Sequence, residues 1–205
     1  MLFLGAAALY KNSSSNGLPI PGPGVEATDQ TRGNGKTVLM EFSDYQCPAC
    51  KAYYPLVEQL VKDEGDNITF VYRNFPLPQH GNAMTSARAA EAAGRQGKFW
   101  EMHNKIFENQ DAWAEKNSSD AAVIFQDYAK NLGLDLTRFN ADYNDKTIQV
   151  KILNDYKSGV NLNVQGTPTF FVNGKKINNP TSLDGFKQDL TDAGAPAITA
   201  TTTKK

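Results

Sequence analysis

Cysteine and histidine are scarce in this chain. Its 205 residues include two of each, so a structural zinc site, which takes four ligands, could draw only on two thiolates and two distant imidazoles. Lysine and arginine number 21 against 22 aspartates and glutamates, and this balance gives no electrostatic reason to expect nucleic acid binding. The apolar run that opens the chain, residues 1–9, is too short to cross a bilayer.

Both cysteines stand in one motif, Cys47-Pro48-Ala49-Cys50. The apolar residues before it and the amphipathic pattern after it predict a strand, a tight turn and a helix that starts at Cys47. Unpaired N–H groups and the helix macrodipole stabilise an anion there, and the pKa of such thiols falls from about 8.5 to roughly 3.5–7.5. Pro48 suits the first helical position because it has no N–H to leave unpaired. We therefore predict that Cys47 is the nucleophile and Cys50, one turn deeper, the resolving thiol.

A C-x-x-C pair can also be a structural disulfide, or two unrelated cysteines that are close by chance. A ring this small would constrain little unfolded-chain entropy, which argues against a structural disulfide. The segment Gly166-Thr167-Pro168-Thr169 argues against chance, because it precedes an apolar predicted strand, Phe170-Phe171-Val172. Asn173-Gly174 then predicts a hairpin turn. Alone, Pro168 would be an ordinary proline at the first residue of a strand.

With the cysteine motif near its start and the proline motif near its end, the chain resembles the DsbA-like branch of the thioredoxin superfamily. The resemblance spans roughly residues 35–192. It implies an α/β thioredoxin fold, in which helices flank a central mixed β-sheet, with a helical insertion domain. It also implies that Pro168 is in the cis form beside the cysteine motif, and that neither a cofactor nor a metal is needed. The residues that it places against substrate are Pro48, Ala49 and Thr167.

Glu41 lies six residues before Cys47, within the otherwise apolar predicted strand Thr37–Phe42. The resemblance places an acidic residue here, beneath the active site. A buried carboxylate has a raised pKa and can relay a proton to or from the buried thiol Cys50. The pattern alone also allows a glutamate at the edge of a strand that points into water.

The remaining pattern predicts the order of the elements. A helix from Pro48 to about Glu64 leads to a strand at Ile68–Phe75, which closes a β-α-β unit. Five helices are predicted between about residues 80 and 160, the third of them capped at Ser119-Asp120. His80 enters this insert, and the sequence gives no reason to assign it a catalytic role. A last helix, about Ser182 to Ala193, should cover the sheet.

We predict one domain at residues 35–193, with its insert at about 80–160. Residues 1–34 are interpreted as an apolar remnant of a signal peptide or membrane anchor, followed by a flexible linker rich in Ser, Asn, Gly and Pro. A disordered apolar N-terminus is the alternative for residues 1–9. Residues 194–205 are predicted to be a disordered tail. Export and a C-x-x-C motif both agree with an oxidising compartment, so we expect an extracytoplasmic protein of the periplasm or cell envelope.

The expected activity is donation of the Cys47–Cys50 disulfide to reduced or unfolded exported proteins by a monomer. The resemblance implies a membrane partner of the DsbB or vitamin K epoxide reductase-like type that reoxidises it. DsbA carries His where this chain has Ala49, so we expect a less depressed pKa for Cys47 and a milder oxidant. Two alternatives stay open: a disulfide reductase or isomerase on the same fold, and a peptide-binding chaperone in which the thiols are incidental.

Overall fold

The computed structural model describes residues 21–196. The predicted signal or anchor segment and residues 197–205 of the predicted tail lie outside the described residues. At the start of that tail the prediction of disorder is wrong, because Ala195 is buried in the larger apolar cluster and its N–H donates to the Leu190 carbonyl oxygen at 3.0 Å. Within residues 21–196, no helix combines the length and the apolar character needed to cross a membrane. The strands are β1 (Gln30–Gly33), β2 (Thr37–Ser43), β3 (Ile68–Asn74), β4 (Thr169–Val172) and β5 (Lys175–Lys176). The helices are α1 (Pro48–Glu64), α2 (Ala83–Gly94), α3 (Phe99–Glu108), α4 (Gln110–Trp113), α5 (Ser118–Asn131), α6 (Leu136–Tyr143), α7 (Lys146–Asn161) and α8 (Leu183–Asp192).

The strands form one mixed sheet in the order β1-β3-β2-β4-β5. Strands β2 and β3 are parallel and joined through α1, which is the predicted β-α-β unit, whereas β4 runs antiparallel to β2 and β5 antiparallel to β4. The β4–β5 hairpin turns at Asn173 and Gly174, whose φ angles are +49° and +77°. Two successive positive φ angles are the signature that Asn-Gly favours in a tight hairpin. Strand β2, which leads into the cysteine motif, therefore lies at the centre of the sheet.

The predicted linker is folded from residue 30 onward, and that part of the linker prediction is wrong. Strand β1 pairs antiparallel with β3 along its whole length. The segment just before it is fixed by Arg73, whose guanidinium pairs with Asp29 at 2.8 Å and donates to the Gly24 carbonyl oxygen at 2.7 Å. Both side chains of this ion pair are fully buried. A four-residue polar strand at a sheet edge carries no apolar pattern, so composition alone resembles a linker.

The predicted insert is helical, as expected, but it contains six helices, α2 to α7, where five were predicted. The extra one is α4, a single turn too short to show helical periodicity. The predicted cap of α5 is also displaced by two residues. The Asn117 side chain, not Ser119, accepts the hydrogen bond from the Asp120 N–H at 2.9 Å. Asparagine satisfies an unpaired N–H at a helix start as well as serine does.

Consecutive strand residues pack against opposite sides of the sheet. Leu39, Phe70 and Phe170 lie in the larger apolar cluster, which includes both cysteines and residues of α1 and the insert. Met40 and Phe42 lie in the smaller cluster on the other side. Burying one such side chain stabilises the fold by about 1.5–3 kcal/mol. Because alternation puts Glu41 on the face of Leu39, its side chain points toward the side of the sheet that carries the cysteines.

Candidate active site

The end of β2 and a short turn deliver Cys47 to the start of α1. The Cys47 N–H donates to the Asp44 carbonyl oxygen at 3.0 Å, and Cys47 is the N-cap residue with Pro48 directly after it. The buried amide of Gln110, on α4, donates to the carbonyl oxygens of Tyr45 at 2.7 Å and of Cys47 at 3.1 Å. The insert therefore holds the turn that carries the cysteine motif.

Cys47 is surrounded by donors that stabilise its thiolate. They lower the pKa of Cys47 from 9.0 to about 5; the hydrogen bond from the Cys50 thiol contributes most, and burial opposes it. Thr167 and the backbone N–H groups of Cys50 and Ala49 add to this effect. By distance and angle the Thr167 hydroxyl is buried without a hydrogen-bond partner within residues 21–196, and the Thr167 atom nearest the sulfur is its carbonyl oxygen, at 3.4 Å. At neutral pH the sulfur of Cys47 is therefore predominantly a thiolate.

Cys50 has the opposite environment. Its side chain is fully buried, and burial, together with the hydrogen bond to Cys47 and the charge of Glu41, raises the pKa of Cys50 well above its usual range. Both cysteines are free, so the structure shows the dithiol form. A thiolate on Cys47 and a neutral thiol on Cys50 are the charges that a nucleophile and a resolving partner require.

The proline motif lies directly beside Cys47, although the two are 120 residues apart in sequence. The carbonyl oxygen of Thr167 is 3.4 Å from Cys47 Sγ, and the peptide bond between Thr167 and Pro168 is cis. The Asn179 side chain donates to the Pro168 carbonyl oxygen at 2.7 Å. This contact anchors the residue that precedes β4, and so fixes the wall of the site opposite α1.

Glu41 is buried, with 4% of its surface exposed, in the central strand β2. The alternative of a glutamate that points into water is therefore wrong. Burial raises the pKa of Glu41 to about 7, and the charges of Glu58 and Cys47 act in the same direction. The charge of Glu41 in turn raises the pKa of the Cys50 thiol, and proton exchange between these two groups remains a prediction.

Pro48 and Ala49 are the exposed residues of the motif. Beside the largely buried Cys47, they form the surface that an approaching protein would meet first. These two residues and Thr167 were expected at the substrate. The Thr167 carbonyl oxygen lies 3.4 Å from the Cys47 sulfur, and Pro48 and Ala49 directly follow Cys47 at the start of α1. Contact with substrate remains a prediction for each of them.

The polar side chains that hold the turn from outside the motif were not predicted from the sequence. Asp44 is fully buried; its Oδ1 accepts from the Gln46 N–H, and its Oδ2 accepts from the Leu77 N–H, each at 2.8 Å. Oδ2 also lies 2.7 Å from Nδ1 of His80. One signal was available: Asp44 is an ionisable residue three positions before Cys47, directly after a buried strand, where a partner is required.

The comparisons with known proteins agree with this geometry. A family model described as thioredoxin matches residues 27–192. The chain belongs to the thioredoxin superfamily, in its DsbA-like branch. A thioredoxin-like oxidoreductase from Silicibacter pomeroyi DSS-3 superposes with a TM-score of 0.68 at 26% identity, over 82% of this chain and 92% of its own. BdbD from Bacillus subtilis, in its oxidised form, gives a TM-score of 0.69 at 25% identity, over 80% and 92%. These matches confirm the predicted fold class.

Curated relatives of this DsbA-like chain include much longer proteins. The Na(+)/H(+) antiporter NhaA 1 of Salinispora arenicola is 36% identical over 170 residues, which is 82% of this chain and 25% of the antiporter. The Na(+)/H(+) antiporter NhaA 3 of Salinispora tropica is 35% identical over 172 residues, again 82% and 25%. The chain thus spans about a quarter of the length of the curated relatives that it matches.

Proposed function

We propose that this protein is an extracytoplasmic thiol-disulfide oxidoreductase that introduces disulfides into exported proteins through Cys47 and Cys50. One observation carries the proposal: the cysteine at the start of α1 is a stabilised thiolate beside Thr167, and its partner is a buried neutral thiol. An environment that stabilises the thiolate stabilises the reduced form. The oxidised form is then the better electron acceptor, which favours donation of the disulfide.

Transfer proceeds through two exchanges. A substrate thiolate attacks Cys47 Sγ in the oxidised protein, the Cys47–Cys50 bond breaks, and the electron pair leaves on Cys50. A second substrate thiolate then attacks the substrate sulfur of the mixed disulfide, and Cys47 leaves as the thiolate that its surroundings stabilise. The substrate has lost two electrons and gained a disulfide, and the protein holds the reduced pair.

Glu41 supplies the proton in the first exchange. Cys50 is buried and its thiolate is strongly disfavoured, so its departure requires proton uptake at the same time. With a pKa of about 7, the Glu41 carboxyl is half protonated at neutral pH. A group whose pKa lies near the working pH is suited to donate a proton in one half of a cycle and recover it in the other.

Substrate recognition is assigned to the surface around the Cys47 sulfur. An extended substrate segment would run beside the backbone of Thr167 and Pro168, in the manner of a peptide added along a chain edge. Pro48 and Ala49 would border it on the other side. The apolar character of this rim agrees with reduced or unfolded clients, whose side chains are exposed.

Partners and location belong to the same proposal. The protein acts as a monomer in the periplasm or cell envelope, exported or anchored through its apolar N-terminal segment, with the catalytic domain at residues 35–193 extended upstream by β1. A membrane thiol oxidase of the DsbB or vitamin K epoxide reductase-like type restores the disulfide.

Trapping tests the assignment of roles. In Cys50→Ala, Cys47 cannot be released by its partner thiol, so mixed disulfides with client proteins should accumulate on non-reducing gels. Cys47→Ala is the matched control and should accumulate few. Preferential alkylation of Cys50 at neutral pH would reverse the assignment. If Cys47→Ser kept the full activity of the protein toward unfolded clients, the thiols would be incidental and a peptide-binding chaperone would be the correct description.

A further inference from the structure

A buried carboxylate other than Glu41, that of Asp44, lies in the turn that carries Cys47. The Asp44 carboxylate has none of its surface exposed, and His80 is its only titratable hydrogen-bond partner within residues 21–196, with 18% of the imidazole exposed. The other two donors, the N–H groups of Gln46 and Leu77, are neutral. A buried carboxylate held by neutral donors alone is unfavourable, and an adjacent cation offsets its loss of hydration.

This pair is built into the backbone of the active site. The Asp44 carbonyl oxygen accepts from the Cys47 N–H at 3.0 Å, while its side chain holds His80. The loop that carries His80 is fixed a second time, because the Asn82 N–H donates to the Gln46 side chain at 2.6 Å. The positions of the imidazole and the Cys47 sulfur are therefore set by the same short turn.

The His80 imidazole and the Cys47 thiolate also interact electrostatically. The hydrogen bond to Asp44 is the largest influence that raises the pKa of His80, and the charge of Cys47 raises it further. Asp44 and Cys47 are the charged groups that act on this imidazole among the described residues. Inside the cysteine motif itself, Ala49 offers no cation.

We infer that His80, held by Asp44, supplies the positive charge that stabilises the Cys47 thiolate from outside the cysteine motif. His80 is a positioning residue: Asp44, whose carbonyl oxygen also holds the Cys47 N–H, fixes a charge that interacts electrostatically with Cys47, and His80 takes no part in the exchange of bonds. The inference rests on the proposed function, since it assigns a positioning residue to the same reactive thiol.

Reciprocity gives the first test, on the wild-type protein. If the imidazolium stabilises the thiolate, the thiolate must stabilise the imidazolium by the same free energy. The chain has two histidines, and His103 is fully buried with its pKa held well below its usual range by burial. NMR titration should therefore resolve one titrating imidazole, whose pKa is about one unit higher in the reduced protein than in the oxidised protein. Equal values in the two states would overturn the inference.

The second test removes the charge and keeps the contact. Asn at position 80 retains a side-chain N–H near the place of Nδ1, so His80→Asn can still donate to Asp44. We expect the pKa of Cys47, measured by the pH dependence of alkylation, to rise by about one unit. The equilibrium with glutathione should shift about tenfold toward the oxidised protein, which for two electrons is about 30 mV toward a more reducing potential.

Lys62→Gln is the matched control. Lys62 lies in the exposed last turn of α1, the helix that begins after Cys47, and the substitution removes its positive charge. At 1.5 Å per residue, this charge is about 22 Å from Cys47 along the helix axis. The pKa of Cys47 and the equilibrium with glutathione should both stay at their wild-type values in this variant. Equal shifts in the two variants would mean that net charge, not His80, is responsible, and would overturn the inference.

Failure of the proposed function has a different signature. If wild-type Cys47 does not exchange with glutathione, the oxidoreductase itself is excluded. If Cys47 exchanges with a low pKa in both wild type and His80→Asn, the oxidoreductase stands and only the role of His80 is wrong. If His80→Asn does not fold, the NMR comparison in the wild type decides alone.

Discussion

Lowering the pH should destabilise the reduced protein relative to the oxidised protein, because only the reduced protein has a stabilised thiolate at Cys47. The pKa of the Cys47 thiol is 9.0 in its ordinary state and about 5 in the fold. A depressed pKa contributes stability that is fully present above the unfolded value and is lost as the pH falls through the folded value. The contribution of the thiolate is roughly 3 kcal/mol at pH 7 and well under about 1 kcal/mol at pH 5. The reduced form should therefore lose about 2 kcal/mol relative to the oxidised form between these two pH values.

Urea unfolding of both redox states at pH 5, 6 and 7 measures this difference. Subtracting the oxidised from the reduced free energy of unfolding removes groups that titrate alike in both states. Glu41 does not cancel fully, because the Cys47 thiolate that helps to raise its pKa is present only in the reduced form. Its raised pKa acts with the opposite sign, since stability is lost as the pH rises from its usual range through about 7. A Glu41→Gln background checks the subtraction.

Reduced Cys47→Ser, which has no thiolate at this position, serves as the control, and its stability should follow the pH dependence of the oxidised protein. A difference between the reduced and oxidised wild type that stays constant from pH 5 to pH 7 would refute the stabilised thiolate.

The same geometry supports three further predictions. Glu41→Gln should slow reduction of the disulfide by about 10²-fold or more in stopped-flow assays, because Cys50 loses its proton donor; an unchanged rate would exclude the relay. Ala49→His should make the protein more oxidising in equilibrium with glutathione, because an added imidazole stabilises the Cys47 thiolate; an unchanged or more reducing value would count against this role for position 49. Arg73→Met should lower the free energy of unfolding by about 3–5 kcal/mol in urea, because it leaves a buried carboxylate unpaired, whereas a loss below about 1 kcal/mol would show that this ion pair does not anchor β1.

Much of the fold could be predicted because its signals are local. The helix from Pro48 to Glu64 has its start fixed by a proline at the first turn and its course by apolar spacing. The hairpin at Asn173-Gly174 is fixed by two residues that tolerate positive φ. Strands β2 and β3 are apolar runs with clear ends, and each observed bound lies within one residue of the predicted one.

The parts that were missed depend on contacts distant in sequence. Strand β1 exists because it pairs with β3, some 40 residues away, and its own four residues carry no pattern. Likewise, His80 and Asp44 are 36 residues apart, and Gln110 reaches the Cys47 carbonyl oxygen across 63. Single polar residues have no periodicity, so only the folded chain shows which of them meet.

The Cys47–Cys50 pair is proposed above all as a redox couple poised to donate its disulfide. A redox titration against glutathione, followed by the fraction of the protein in the dithiol form, measures this directly. We predict a potential between those of thioredoxin, about −270 mV, and DsbA, about −120 mV, because the Cys47 thiolate is stabilised while Ala49 supplies no imidazole. A potential at or below that of thioredoxin would make the protein a reductase, and absence of exchange would contradict the assignment of the site altogether.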